Sequence, residues 1–463
     1  MSLKDKKDLT SGPILPLIIE YTIPLILASF IQVLFNAADM AVLRVFASTV
    51  AVASVGAIGP ISGLLVNSAV GLSAGTSIIL ARCIGAKDDR RSSVVVGTSV
   101  VIAVAVGTVL AVVGYFLAPW LLNITECVEE CYDGARIYLA VYCLSMPAIM
   151  LYNFGAAIIR VSGDSKRPLG YMIIAGVINV VLNFILCATL EEKVLAVAVA
   201  TVASQAVGAV LVMLRLLRCD GACRLRLKGI AFSLAEGWKI IKVGLPAAVN
   251  SSLYNLANLQ VQAAINSFGA AAVAGNIAAI QVETVSGSIS GSFQTTALTF
   301  MGQNIGAGKP DRVRKSLLCC IFISVGGCAV LSLAMYLAGT ALLGLFIPQD
   351  ELAATAIAVG LCRMIFVLLP YPMHAAFGLF GSAIQAFGYP NFTSFSSIVT
   401  VLVYRVIWMN LIYPYLPTVG DPAVDIRNVY SCFLSSWALT FIAFTVMFVI
   451  VYRRYMKGRV RAV

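Results

Sequence analysis

The chain has 463 residues, 60% of them apolar and 11% charged, with a mean hydropathy of +0.95 and a formal net charge of +11. Soluble domains carry about 25% charged residues, so composition excludes a water-soluble enzyme or binding domain. It leaves a chain that crosses a bilayer many times.

In chain order, the opening MSLKDKKDLTSGP is polar and leads into an apolar run at about 14–43. That run is too long for a signal-peptide core and no small-residue cleavage site follows it, so it is expected to stay as the first span. Further runs follow at about 52–80, 93–117, 134–159, 168–190 and 194–217, and then at about 239–267, 273–302, 313–340, 353–386, 393–415 and 428–452. Each is long enough for a helix across about 30 Å of hydrocarbon, and the period-2 alternation of a membrane barrel is absent. The expected fold class is an all-α polytopic membrane protein with about twelve spans. A six-helix lobe is expected over residues 1–217, a basic connector over 218–238 and a second six-helix lobe over 239–463.

Most of the 32 basic residues fall in alternate loops: Lys4, Lys6 and Lys7; Arg82, Lys87, Arg90 and Arg91; Arg160, Lys166 and Arg167; the connector; Lys309, Arg312, Arg314 and Lys315; and the C-terminal end from Arg453. The opposite loops are acidic, with Glu126, Glu129, Glu130 and Asp133, then Glu191 and Glu192, Asp350 and Glu351, and Asp421 and Asp425. The positive-inside bias then predicts that both termini are cytoplasmic. Topology and anionic headgroups account for the +11 charge, and no nucleic-acid partner is needed.

The chain also repeats itself. ARCIGAKDDRRSS matches GQNIGAGKPDRVRKS with Gly85 on Gly306; Pro24 falls on Pro246 and Asn36 on Asn258; Pro147 falls on Pro372 and Gly163 on Gly388. Six spans per half make the repeats parallel, related by an axis along the membrane normal. Two enzyme-like patterns dissolve on this background. GLSAG around Ser73 has the form of a hydrolase elbow, but that elbow needs a strand, a helix and a later histidine. The surroundings are one long apolar run, the only histidine is His374, and the second repeat has Gln294 where the first has Ser73. GAGKP at 306–310 lacks the first glycine and the final Ser or Thr of a phosphate loop. No enzyme is expected.

Pro24 with FNAADM, GLSAGTSIILARCIGAKD, RVSGDSKRP, GVINVVLNFIL with AVATVASQ, and QTTALTFMGQNIGAGK together resemble the multidrug and toxic compound extrusion (MATE) family of the multidrug, oligosaccharide-lipid and polysaccharide exporter superfamily. The resemblance covers nearly the whole chain. It implies two six-helix bundles rocking between inward-open and outward-open states in a bacterial cell membrane. The implied activity is export of lipophilic, often cationic, small molecules in exchange for H⁺ or Na⁺, with no resident cofactor.

Ionisable residues deep in spans are costly and mark functional sites by default. Here they are Asp39, Glu283 and Arg405, with Glu20, Arg44, Arg363 and His374 nearer the span ends. Asp39 can carry a proton across, or hold Na⁺ when ionised; a plain pair with Arg44 is the structural alternative. Asn179 and Asn183 are four apart and share a helix face, and Thr201 adds a hydroxyl of the kind hard cations prefer. The resemblance implies that Asp39, Asn179, Asn183 and Thr201 form the cation site, with Na⁺ possible at Asp39 and Asn183. Asn183 stands where the family leads one to expect a second carboxylate. Pro24 breaks the helical hydrogen-bond ladder 15 residues before Asp39 and permits a kink.

The second half has Val261 in place of Asp39 and a polar stripe of Ser251, Asn255, Asn258 and Gln262, which should face a cavity or another helix. With Asn36, Glu283 and Arg405, residues Asn255, Asn258 and Gln262 are candidates to line a substrate cavity. Arg405 is the nearest partner in depth for Glu283, and His374 reads as a hydrogen-bonded helix residue. Phe154, Tyr254 and Phe377 are candidates to stack on planar cations, and Trp120 and Trp238 fall where interfacial tryptophan is expected. The twelve cysteines form no metal pattern: Cys219 and Cys223 sit in the reducing cytoplasm, and Cys127 and Cys131 lie on the outer side. A monomeric exporter is the leading expectation. A flippase for a lipid-linked or polysaccharide precursor is the alternative, with Arg405 its best support, and a non-transporting membrane receptor ranks third.

Overall fold

Helix is the only regular element among the described residues of the computed structural model, which are 8–124, 129–219, 221–225, 232–347 and 351–457. Hydrocarbon offers no partner to an open backbone group, so each spanning segment must satisfy its own N–H and C=O groups. The first repeat gives α1 (Ile14–Phe46), α2 (Thr49–Ala57), α3 (Gly59–Gly85), α4 (Asp89–Ile124), α5 (Glu129–Leu144), α6 (Met146–Val161), α7 (Lys166–Thr189) and α8 (Lys193–Leu217). The second gives α9 (Leu234–Asn266), α10 (Ala270–Gly306), α11 (Pro310–Leu337), α12 (Gly339–Gly344), α13 (Ala353–Arg363), α14 (Tyr371–Ala386), α15 (Pro390–Ser397), α16 (Tyr404–Ile407) and α17 (Pro422–Met456). Among the described residues, nine segments are long and apolar enough to cross a membrane, and the bent pair α5 and α6 makes a tenth. The polar residues of α9 and α10, 33 and 37 residues long, keep those two below that apolarity and complete the expected twelve.

The repeat is visible in backbone detail. Gly163 and Gly388, aligned in sequence, both sit at φ 91 just past α6 and α14. Lys87 at φ 56 aligns with Gly308 at φ 65, and the left-handed residue at each position closes the same helix end. Arg91 and Arg312, also aligned, both reach the start of a first helix. Arg91 donates to Glu236 near the start of α9 at 3.1 Å, and Arg312 donates to the Gly12 and Ser11 carbonyls before α1 at 2.8 and 3.0 Å.

The chain divides into two compact units: one comprises Ile23–Ala248 and the residues before Thr10, the other Thr10–Thr22 and Val249 onward. Both breaks fall inside a helix next to a proline, Pro24 in α1 and Pro246 in α9, rather than in the 218–238 connector. The start of α9 lies in the first unit, where Gly244 and Gly75 let α9 and α3 cross backbone to backbone. The start of α1 lies in the second, where the Thr22 and Thr296 hydroxyls meet at 2.9 Å. The described part of the connector is pinned by Leu225 N–H to the Leu216 carbonyl, and Cys219 and Cys223 are buried. Residues 226–231 and Cys127 lie outside the described residues.

Each unit has its own core. Leu43, Leu80, Leu139, Phe154 and Ile158 are fully buried in the first; Val359, Ile384, Ile426 and Tyr430 are fully buried in the second. Phe154 is therefore a packing residue and not a stacking surface for a ligand. Apolar burial gains little between helices in lipid, so close packing around small residues has to hold them.

Candidate functional site

In the first unit, α1 carries Asp39 and α7 carries Asn179 and Asn183 one turn apart on its buried face. The Asn183 Nδ2 donates to Asp39 Oδ1 at 2.7 Å and lies 3.3 Å from Asn179 Oδ1. Asp39 is half-buried, Asn179 is buried and Asn183 has no exposed surface. The remaining amide oxygen, Asn183 Oδ1, is buried with no hydrogen-bond donor. Such an oxygen costs about 1–3 kcal/mol unless something satisfies it, and a desolvated cation beside the carboxylate is one way to do so.

Thr201 on α8 donates to the Val197 carbonyl at 2.9 Å, and its side chain lies near that of Tyr138, which is within electrostatic reach of Asp39. Thr201 thus neighbours the set by way of Tyr138. That tyrosine, on α5 and stacked on Tyr142 at 6.1 Å, was not singled out in the sequence, because it reads there as one apolar-face aromatic among many. The donor set of one carboxylate, amide oxygens and a hydroxyl suits a monovalent hard cation or a proton. No cluster of three His, Cys, Asp or Glu occurs among the described residues. The side chains of Asn36, Arg44, Ser251, Tyr254 and Asn255 lie outside the described residues.

The second unit has a different chemistry. Glu283 pairs with Arg363, not with Arg405: Nε and Nη2 of Arg363 reach the two carboxylate oxygens at 2.9 and 2.8 Å, a two-point pair. Arg363, expected nearer a span end, is buried at the C-terminus of α13, just before the π-helical Met364–Leu368. Its Nη1 donates to Asn276 Oδ1 at 2.9 Å, which also receives the Tyr430 hydroxyl at 3.2 Å. Asn276 Nδ2 then donates to Gln262 at 3.0 Å, and Gln262 to Asn266 at 2.8 Å. Gln262 and Glu283 therefore belong to one connected polar network.

Arg405 is 1% exposed; it donates to Asn258 at 2.6 Å and lies over the Phe433 ring at 4.2 Å. Phe433 also carries Arg363 over it at 5.1 Å, so the two guanidinium groups share one aromatic ring. His374 is not hydrogen-bonded at Nδ1; it is packed among the rings of Tyr371, Phe377 and Trp437, each at 4.9 Å.

Polytopic helices built as a tandem repeat, with polar groups buried in each half, have the design of a parallel-repeat membrane transporter. The family profile MatE matches residues 24–185 and 246–409, and the chain belongs to that family. It is 27% identical to the "Probable multidrug resistance protein YoeA" of Bacillus subtilis over 343 residues, 72% of this chain and 73% of that one. It is 23% identical to an "FAD transporter" of Shewanella oneidensis over 320 residues, 68% of this chain and 71% of that one. The fold matches a superfamily transporter from Pyrococcus furiosus, described as having a binding pocket of reverse polarity, with a TM-score of 0.85 at 19% identity over the full length of both chains.

Proposed function

We propose that this multi-pass membrane protein exports a small molecule in exchange for H⁺ or Na⁺, with the ion held at Asp39, Asn179 and Asn183 and by Thr201 through Tyr138. The observation that carries this reading is the buried Asn183 Oδ1, which has no donor and stands on the amide that bonds Asp39. An ion or proton arriving at Asp39 changes the charge there, and the Asn183 hydrogen bond reports that change directly to α7. Pro24 then supplies the flexible point in α1 through which the two states differ. The substrate is proposed to be lipophilic or cationic, in line with the multidrug resistance description of one relative. Another relative is described as an FAD transporter, which keeps a metabolite substrate within this proposal. The protein acts as a monomer in the plasma membrane of a bacterium, with both termini in the cytoplasm, and neither catalysis nor nucleic acid is part of its work.

The test is uptake of a fluorescent lipophilic cation into inside-out vesicles under separately imposed H⁺ and Na⁺ gradients, comparing wild type with Asp39→Asn. Transport driven by one ion and lost in the variant supports the reading and names the ion. A variant that transports as well as wild type removes Asp39 from the mechanism.

A further inference from the structure

The face of α7 that is buried carries Pro168, Gly176, Asn179, Asn183 and Cys187, while Ile174, Val177, Val181 and Ile185 point away and are exposed. Gly176 lies seven residues before Asn183, roughly 10 Å along the same face. A Cβ on Gly176 would strike the edge of the Phe35 ring at Cδ2, Cε2 and Cζ, so the glycine is a socket against which that ring fits. Phe35 lies four residues before Asp39, on one face of α1. The same two helix faces are therefore joined twice, by a ring seated on a glycine and by a carboxylate on an amide. On the far side Phe46 meets Phe184 edge-on at 5.7 Å, so aromatic contacts bracket the polar pair.

The two contacts differ in what they can hold. A hydrogen bond such as Asp39 to Asn183 at 2.7 Å weakens steeply with distance and angle, and it must change when an ion or proton arrives. The ring in its socket carries no charge and does not respond to the ion. It can hold the register of α1 while the polar pair changes partners. The second repeat supports this division. Counting from Pro24 on Pro246 and Pro168 on Pro390, both 222 residues apart, Phe35 becomes Ala257 and Gly176 becomes Ile398. Bulk and gap have changed sides there, and at the same offset Asp39 and Asn183 have become Val261 and Arg405. The helix at Ile398–Val403 is also π-wound. The socket with its ring is thus found in the repeat that keeps the carboxylate.

We propose that Phe35 and Gly176 are a positioning pair: the ring seated on the glycine fixes the rotation and depth of α1 against α7, and so keeps Asp39 in register with Asn183 and Asn179. The consequence for coupling rests on the reading of Asp39 as the ion-binding group.

The experiment has two readouts on the full-length protein. One is the distance between nitroxides carried by unnatural amino acids at positions 34 and 181, where Leu34 is 65% and Val181 50% exposed. The other is the half-saturating concentration of the driving ion, read separately from the maximal rate. Gly176→Ala is expected to shift or broaden the distance by about 2 Å, the scale of small helix displacements. It is expected to raise half-saturation about 10-fold, equivalent to about 1.4 kcal/mol, with the maximal rate much less affected. Adding Phe35→Leu, which shortens the ring that the new methyl strikes, is expected to restore both. Phe35→Leu alone empties the socket and is expected to broaden the distance without the displacement. An unchanged distance in Gly176→Ala overturns the proposal, and so does a loss that Phe35→Leu fails to repair. If the distance shifts and is repaired while wild-type transport shows no ion dependence, the pair stands and the coupling role of Asp39 falls.

Discussion

Arg405 donates to Asn258 over 2.6 Å, and the two stand 222 residues beyond Asn183 and Asn36. The second repeat thus places a fixed guanidinium where the first places the amide that bonds Asp39. A built-in cation repels a mobile one, so under the proposed function the ion is expected to bind in the first repeat alone. Asn183→Asp adds a second carboxylate beside Asp39 and is expected to lower the half-saturating ion concentration about 10-fold, a change of about 1.4 kcal/mol. Val261→Asp puts a carboxylate at the matching position of the second repeat, where Arg405 neutralises it, and ion dependence is expected to stay as in wild type. Ion titrations of transport in vesicles decide both. A second ion-dependent phase in Val261→Asp contradicts the assignment to one repeat.

The Glu283–Arg363 pair gives a stability prediction. Both groups are buried, and Arg363 also holds Asn276. Removing one partner of a buried pair costs about 3–5 kcal/mol, because the other charge is left uncompensated, whereas replacing both with packed apolar groups is often neutral. Glu283→Gln is expected to lower the thermal midpoint in detergent sharply, and Glu283→Met with Arg363→Met to recover most of the loss. If the single variant unfolds as late as wild type, the pair is not structural and Glu283 becomes a candidate for transport.

These two polar sites were not equally legible in the sequence. The shared face of Asn179 and Asn183 could be read because a spacing of four on a continuous helix fixes it, whereas their grouping with Asp39 was implied by the family resemblance alone. The partner of Glu283 could not. Arg363 and Arg405 are both adjacent to π-wound segments, Met364–Leu368 and Ile398–Val403, and such segments shift the face that a residue presents relative to a uniform 3.6-residue count. Span order and the tandem repeat were legible because apolar length and repeated turn residues such as Gly163 and Gly388 survive those shifts. The breaks beside Pro24 and Pro246 were not, since nothing in composition shows that the two parts of one helix pack into different units.

Glu236 supplies a pH test away from the spans. Burial pushes its carboxyl up, but hydrogen bonds from Lys239 and Arg91 outweigh burial and hold it below its ordinary value of 4.5. A carboxylate depressed in the folded state stabilises the fold at pH values above its unfolded value, and that contribution fades as pH falls through the folded one. Glu236→Gln is therefore expected to melt earlier than wild type at pH 7, and the two midpoints should converge on acidification below about 4.5, the ordinary carboxyl range. Midpoints that differ by the same amount at pH 7 and pH 3.5 would place the effect elsewhere than in this charge.

The crossing of α3 and α9 is a backbone-to-backbone packing constraint in the first unit. A methyl on Gly75 would strike the Ile240 carbonyl oxygen and the Gly244 backbone, and one on Gly244 would strike the Leu72 carbonyl. Backbone cannot swing aside as a side chain does, so relief requires the helices to part. Overpacking of this kind costs about 1–3 kcal/mol and sometimes more. Gly326 in α11 has nothing within 4 Å of the same methyl, and an alanine there gains about 1 kcal/mol of helix propensity at most. Gly75→Ala is expected to lower the melting midpoint and the transport rate together, and Gly326→Ala to leave both unchanged or slightly raised. Because the crossing holds the start of α9 to the first unit, a Gly75→Ala protein with wild-type stability and rate would mean that this end of α9 is not held by α3.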